Sequence, residues 1–457
     1  MVSIDIGKLE SFILEKIAKT KIPGLSIALV RDSEVIYARG FGFRDVDQGL
    51  HATPHTIYGI GSVTKSFTAI ATLQLVEEGK LSLDDPVSKY VPLDIKPFGE
   101  PIRVHHLLTH TTGLPALAYA EAYISGVLGL DTTWLPLASP EDVISFMRDS
   151  EKWAVSRPGE KFFYLNEGYV LLGYIISRVS GMRYEDYVKR RILEPLGMKR
   201  TYFHKEDVEK DPDVATPYIL DKEGRYIASK FPYGVTADGG LLSNVMDLSR
   251  YLMMYINRGK LGDVQVLSKE MIELMEKPHV KLPFELLGEE YYGYGLIIHK
   301  NFLGRRLIEH SGSVLVYTAF IGYVPEERIG VAVLANASGY PLSNIGMYAL
   351  ALMMGRDPEK ELPFIRTERL LERLEGTYET YRGTMKLYVR KRGDFLYVER
   401  RDRYTESIVP LIPIELSEER AIFYTTSWGR KFYVEFYIKD GTVELIYERY
   451  KLIKVGQ

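Results

Sequence analysis

Ser62 and Lys65 stand three residues apart, just after Gly59-Ile60-Gly61 and at the head of a run with helical periodicity. In that run, Ser66 to Glu77, the apolar residues are Phe67, Ile70, Ala71, Leu73, Leu75 and Val76, and they predict a helix. A serine on the first turn lies near the partly positive end of the helix dipole. A residue three positions on shares its face, so the two side chains are expected to touch. A buried lysine that gives up its proton takes the proton of the serine hydroxyl, which is what a nucleophilic hydrolase needs. Ser-x-x-Lys alone is a weak signal, because both residue types are common. The flanking glycines and the helix strengthen it.

Two more pieces add to it. Tyr164-Leu165-Asn166 is a Tyr-x-Asn in a loop before a helix. A tyrosine beside an ammonium ionises more easily and can act as a base or pass a proton to a leaving group. The asparagine can bind a substrate amide and hold the lysine. The plainer reading is a core tyrosine with a capping asparagine. His310-Ser311-Gly312-Ser313 closes a strand-like run. Gly312 would let a substrate backbone approach closely, and the Ser313 amide would join that of Ser62 as an oxyanion hole. The plainer reading here is a strand-end turn with a buried histidine. Three such pieces together are far rarer than any one.

The surrounding elements must bring these pieces together. Ile4 to Thr20 reads as an amphipathic helix, followed by a hairpin of Gly24 to Val30 and Glu34 to Phe43. Arg103 to Leu114 holds His106 and His110, an i,i+4 pair of the kind that can suit zinc. No glutamate follows His106 in the metalloprotease pattern, and the favoured reading is a helix cap and a loop wall. Pro115 to Glu151 is either a lid or a wall over the site or an ordinary packed insert. Helices are expected over Val170–Ser180, Tyr184–Leu196 and Val245–Asn257, with a tight glycine bend at Asp238-Gly239-Gly240. Leu296–Lys300, Arg305–Ser311, Tyr317–Val324 and Ile329–Ala335 read as later strands of the same antiparallel sheet, covered by a helix over Pro341–Met354. Residues 356–375 read as a linker with a short helix. From residue 376 to 457, alternating runs separated by turns such as Asp440-Gly441 predict about eight strands in a small up-and-down barrel.

Composition sets the bounds. The 457 residues are 46% hydrophobic and 26% charged, with a formal net charge of -3. That is a soluble globular balance with no global pull toward nucleic acid or anionic membrane. The absence of cysteine excludes disulfides, thiol catalysis and thiolate metal sites. Met1 to Lys8 does not read as a signal peptide, and no run is long and apolar enough to span a membrane, so a cytoplasmic protein is expected.

The motifs resemble those of the penicillin-binding-protein and class C β-lactamase superfamily, in particular its CubicO group of serine hydrolases. Gly61 to Thr68 matches the nucleophile motif, and Leu107 to Pro115, Tyr164 to Tyr169 and Gly239 to Ser243 match further segments of the group. His310-Ser311-Gly312 stands where β-lactamases carry Lys-Thr-Gly. The resemblance covers roughly residues 5–355 and makes residues 1–355 a catalytic domain. It implies an α+β fold, in which a helix-flanked antiparallel sheet meets an all-helical region with the site between them. It implies Ser62 as acyl-accepting nucleophile, Lys65 as its partner and Tyr164 as general base, with no metal or organic cofactor. Histidine at 310 is only partly charged near neutral pH, which puts recognition of a substrate carboxylate in doubt. The barrel resembles a lipocalin-like module of archaeal-type peptidases that form closed homo-oligomers. The implied activity is hydrolysis of peptides, D-residue peptides included. An esterase, a weak β-lactamase and a catalytically silent scaffold are the alternatives.

Overall fold

The structure is a computed structural model. It describes residues 4–130, 137, 139–234, 236–401, 403–439 and 441–456. The chain divides into two compact units, Met1–Arg356 and Asp357–Gln457.

In the first unit the described residues form a nine-stranded antiparallel sheet. Its spatial order is Val280–Lys281, Glu290–Tyr292, Ile297–Phe302, Arg305–Ser313, Thr318–Val324, Ile329–Ala335, Gly24–Arg31, Glu34–Asp45 and Leu50–His51. The N-terminal hairpin thus lies beside the last strand of the unit, with Leu25 opposite Ala335 and Val30 opposite Gly330. The expected assembly of early and late strands into one sheet is what forms.

The central strands Gly24–Arg31 and Ile329–Ala335 are buried along almost their whole length because both faces are covered. On one face Ile256, from the helix Val245–Ile256, reaches toward Gly330. On the other, Phe320 lies against Gly346 of the helix Leu342–Met353, which also stacks Tyr348 on Phe12 of the first helix, Ile6–Thr20. Alternate strand residues point to opposite faces, so Phe320 and Ile321 serve different layers.

The helix Thr64–Glu77 is buried on every side from Thr64 to Leu75. The apolar spacing predicts a helix, and this one runs through the core, packed against the helix Asn166–Ser180. An all-round burial of this kind is the pattern of a central helix. Phe67 stacks on Tyr251, and the Tyr251 hydroxyl donates to Ser66 Oγ at 2.9 Å.

The helix expected from Tyr184 to Leu196 forms with a widened π turn over Lys189–Leu193. Within Pro115–Glu151, helices span Tyr119–Leu128 and Pro140–Phe146, while residues 131–136 and 138 lie outside the described residues.

In the second unit, the stretch expected as a linker with a short helix carries two helices. Pro358–Glu361 and Pro363–Leu374 are helices, and Leu371 and Leu374 pack into the apolar core of the barrel that follows. Eight described strands close that barrel, and Gly376–Glu379 pairs with Tyr450–Gly456. Asp440 of the Asp-Gly turn lies outside the described residues. The interior is filled by side chains such as Phe423, Phe436 and Tyr378, with Phe423 and Phe436 edge to face at 5.6 Å between ring centres.

Candidate active site

Backbone geometry places the serine. Tyr58–Gly59 pairs with Leu242–Ser243, and the Ile60 amide donates to Leu241 O at 2.9 Å. Gly61, with φ of +50°, then turns the chain into a short 3₁₀ segment, Gly61–Val63, that leads into the buried helix. A side chain is excluded at Gly61 twice over: that φ is costly for an L-residue, and a Cβ there would lie 2.7 Å from Ser313 N. A Cβ on Gly312 would lie 1.9 Å from Ile60 O and 3.0 Å from Ser62 N. The glycine expected to admit a substrate backbone is therefore needed by the serine turn itself. The two glycines let the turn and the strand Arg305–Ser313 meet backbone to backbone, which gathers Ser62 and Ser313 at one place.

Lys65 is fully buried, and its ammonium nitrogen faces three oxygens. Ser62 Oγ lies at 3.1 Å, Asn166 Oδ1 at 2.7 Å and the Asp238 carbonyl at 2.7 Å. The Tyr164 ring centre lies 4.9 Å from the same nitrogen, and that of Tyr169 5.6 Å. The two carbonyl oxygens only accept, so they fix two of the lysine's hydrogens. The remaining position points at Ser62 Oγ. One proton can sit on either side of that 3.1 Å contact without disturbing the other two bonds.

Asn166 opens the helix Asn166–Ser180, which starts four residues earlier than the apolar pattern predicts. Asp238 is buried, and burial raises its carboxyl pKa while the nearby Lys65 opposes the rise. Its carboxylate accepts from the Tyr119 hydroxyl at 2.7 Å, so only its main-chain carbonyl serves the lysine. Glu167, next to Asn166, is buried and pushed up to about 7 by desolvation.

His310 differs from the expectation of partial charge. Burial, reinforced by the Lys65 charge, pushes it down to about 3. Its Nδ1 donates to Ser311 O at 2.6 Å and its Nε2 accepts from the Tyr292 hydroxyl at 3.1 Å. Both ring nitrogens are occupied in the neutral form.

His106 and His110 take the favoured roles of helix cap and loop wall. His106 Nδ1 accepts from the Arg103 amide at 3.1 Å as a helix cap. His110 Nδ1 accepts from the Leu165 amide at 2.9 Å as part of a loop wall. Each ring serves a different backbone amide.

Ser62, Tyr164, Asn166, His310, Gly312 and Ser313 line one cleft of about 760 Å³, with Lys65 directly behind Ser62. Ile124 and Ser125 line it too, so the segment left open as lid or insert does contribute a wall. Leu282, Phe284 and Leu315 add an apolar side. The residues missed by sequence reasoning are Asp238, whose contribution is a carbonyl that every residue carries, and Tyr292, which stands alone in sequence.

Residues 9–352 match the family described as Beta-lactamase, and residues 358–453 match the Pab87 octamerisation domain. Among solved structures, the chain is similar to the octameric penicillin-binding protein homologue from Pyrococcus abyssi. The two are 59% identical, with 99% of this chain and 100% of the other covered and a TM-score of 0.95. The penicillin binding protein from Bacillus halodurans is 25% identical, with 75% of this chain and 97% of the other covered and a TM-score of 0.61. Protein flp of Staphylococcus aureus (strain MW2) is 30% identical over 336 residues, which are 72% of this chain but 62% of flp. The chain thus spans less than two thirds of the length of this curated relative.

Proposed function

The chain belongs to the β-lactamase family, and from that premise we propose a serine hydrolase that cleaves amide bonds of short peptides through an acyl-enzyme on Ser62. One observation carries the reading: a fully buried lysine holds Ser62 Oγ at 3.1 Å while two carbonyl oxygens fix its other hydrogens.

In the proposed sequence Ser62 Oγ attacks the scissile carbonyl carbon as its proton passes to Lys65. The amides of Ser62 and Ser313 receive the developing oxyanion. The C–N bond breaks as the proton travels by way of Tyr164 to the leaving amine, freeing it and leaving an ester on Ser62. Water then attacks that ester, its proton returning through the same groups, and the acid leaves. Every step uses the chain's own residues and water.

The neutral, doubly hydrogen-bonded His310 argues against substrates held by a carboxylate at that position, penicillins among them. Peptides of either hand are the substrate class to try first. Incubation with a peptide library, with products read by mass spectrometry, tests this. We expect cleavage by the wild type and none by Ser62→Ala. Equal product patterns from the two would refute it, and exclusive turnover of short-chain esters would favour the esterase alternative. The second unit supports a proposal of assembly into a closed homo-oligomer, since the 59%-identical relative is described as octameric.

A further inference from the structure

We propose that His110 is a positioning residue for this reaction, one that fixes the segment carrying Tyr164 and Asn166 against Lys65 through the acceptor nitrogen of its ring. The proposal rests on the serine-hydrolase reading above.

His110 is fully buried and adopts a left-handed backbone, with φ of +57°. That conformation turns its carbonyl and its ring toward the same neighbour. The His110 carbonyl accepts from the Phe163 amide at 2.8 Å, and Nδ1 accepts from the Leu165 amide at 2.9 Å. These are the two amides on either side of Tyr164. The imidazole also lies 4.2 Å from the Tyr164 ring, centre to centre. A single residue therefore holds the tyrosine by the backbone before it, the backbone after it and the ring.

The other side of the imidazole meets the sheet. Its centre is 4.9 Å from that of Tyr292, whose hydroxyl donates to His310, two residues before Gly312 and three before Ser313 on the same strand. His110 thus fills the space between the Tyr164 segment and the strand that supplies the second oxyanion amide. The chain just after it is laid equally close. A Cβ on Gly113 would lie 2.2 Å from Ser156 O, and the Gly159 amide donates to Thr111 O at 2.7 Å. The whole stretch therefore has little room to shift.

The chemistry requires a neutral ring. Nδ1 accepts from an amide, so it carries no hydrogen, and the hydrogen of the neutral ring is on Nε2. Nε2 is buried without a hydrogen-bond partner among the described residues. Burial and the charge of Lys65 both hold the pKa well below the usual histidine range. A simple loop wall would need only bulk. The acceptor aimed at Leu165 N is the feature that sets the phenol of Tyr164 relative to Ser62.

Two substitutions separate these roles. His110→Gly suits the left-handed backbone but has no acceptor. His110→Asn also tolerates that backbone and places an amide oxygen near the position of Nδ1, without the aromatic ring. We expect His110→Gly to lose about 100-fold in kcat, the scale of an ångström-sized misplacement, with KM changed only a few-fold and the pH profile of kcat displaced. His110→Asn should recover most of kcat and the wild-type profile. The proposal is overturned if His110→Gly keeps the wild-type kcat and profile, or if His110→Asn is as impaired as His110→Gly while melting like the wild type. Should the glycine variant not fold, a His110→Asn protein that melts like the wild type yet loses about 100-fold in kcat overturns the proposal, and one that keeps most of kcat and the wild-type profile supports it. Wild type and Ser62→Ala are assayed alongside. A wild type no faster than Ser62→Ala removes the hydrolase reading and this proposal with it. An active wild type with an unaffected His110→Gly removes the positioning role alone.

Discussion

At the scale of single residues, the lysine environment makes the sharpest statements. With its partners fixed, replacing Tyr164 should affect proton delivery and leave the fold intact. We expect Tyr164→Phe to lose about 10²–10⁴-fold in kcat, the usual contribution of a positioned acid–base group, at an unchanged melting temperature. A loss under threefold would remove Tyr164 from the reaction. His310, held down to about 3, does not change charge between pH 5 and 8, so kcat/KM should contain no titration of this ring in that window. His310→Lys would bring a cation to the cleft wall and should lower KM for substrates with a free carboxylate. Unchanged KM for acids and their amides alike would count against that role for position 310. The cluster of Ser62, Lys65, Tyr164 and Asn166 was legible in the sequence because it consists of side-chain types at fixed spacings: a hydroxyl, an amine, a phenol and an amide. Asp238 was not, since it serves Lys65 with a main-chain oxygen. The depth of burial of His310 was not either, since groups packed around it, Tyr164 among them, come from distant parts of the chain.

At the scale of elements, two glycines govern where the serine turn and the sheet meet. Gly312→Ala would drive a methyl group to 1.9 Å from Ile60 O, so one backbone must retreat. We expect a cost of about 1–3 kcal/mol in unfolding, as for other overpacked sites, together with a loss of hydrolysis larger than that instability explains. A variant as active as the wild type would mean that the turn and strand have slack. A second element-level device holds the cleft wall. His299 is buried between Glu290 at 3.2 Å and Glu309 at 3.3 Å. Glu290 also accepts the Leu286 amide at 2.6 Å and the Leu287 amide at 3.1 Å, next to Phe284 of the cleft. Burial disfavours the His299 cation, but its ion-pair contact with Glu290 and its hydrogen bond to Glu309 outweigh it and raise its pKa from 6.5 to about 9. A group raised on folding stabilises fully below its unfolded pKa and loses that contribution as pH climbs through the folded one. Stability should therefore fall between about pH 6.5 and 9 by on the order of 3 kcal/mol. Heat unfolding of His299→Gln should show a flatter dependence over that range, and an identical slope in both proteins would rule the histidine out as its source. The strands and most helices were readable from periodicity and turns. The exception is physical. The helix Asn166–Ser180 begins inside the Tyr-x-Asn motif, whose polar residues hide its first turn.

At the scale of the whole molecule, the two units have separate apolar cores. The barrel was legible because alternating strands and Gly-containing turns are local signals. The helix Pro363–Leu374 read as a linker because its charged face dominates its composition, while Leu371 and Leu374 anchor it in the barrel core. Light scattering should give the full chain a mass several times 52.2 kDa and residues 1–356 alone a much smaller assembly. A monomeric full chain would refute the proposed oligomer without touching the chemistry. The chemistry itself is tested most directly by intact-protein mass spectrometry after rapid quenching with a slowly hydrolysed peptide ester or amide. We expect the wild type to gain the mass of the acyl fragment, mapped to the peptide containing Ser62, and Ser62→Ala to gain nothing. Turnover by the wild type with no adduct at any quench time and unimpaired turnover by Ser62→Ala, or an adduct on another residue, would contradict a covalent mechanism at this serine.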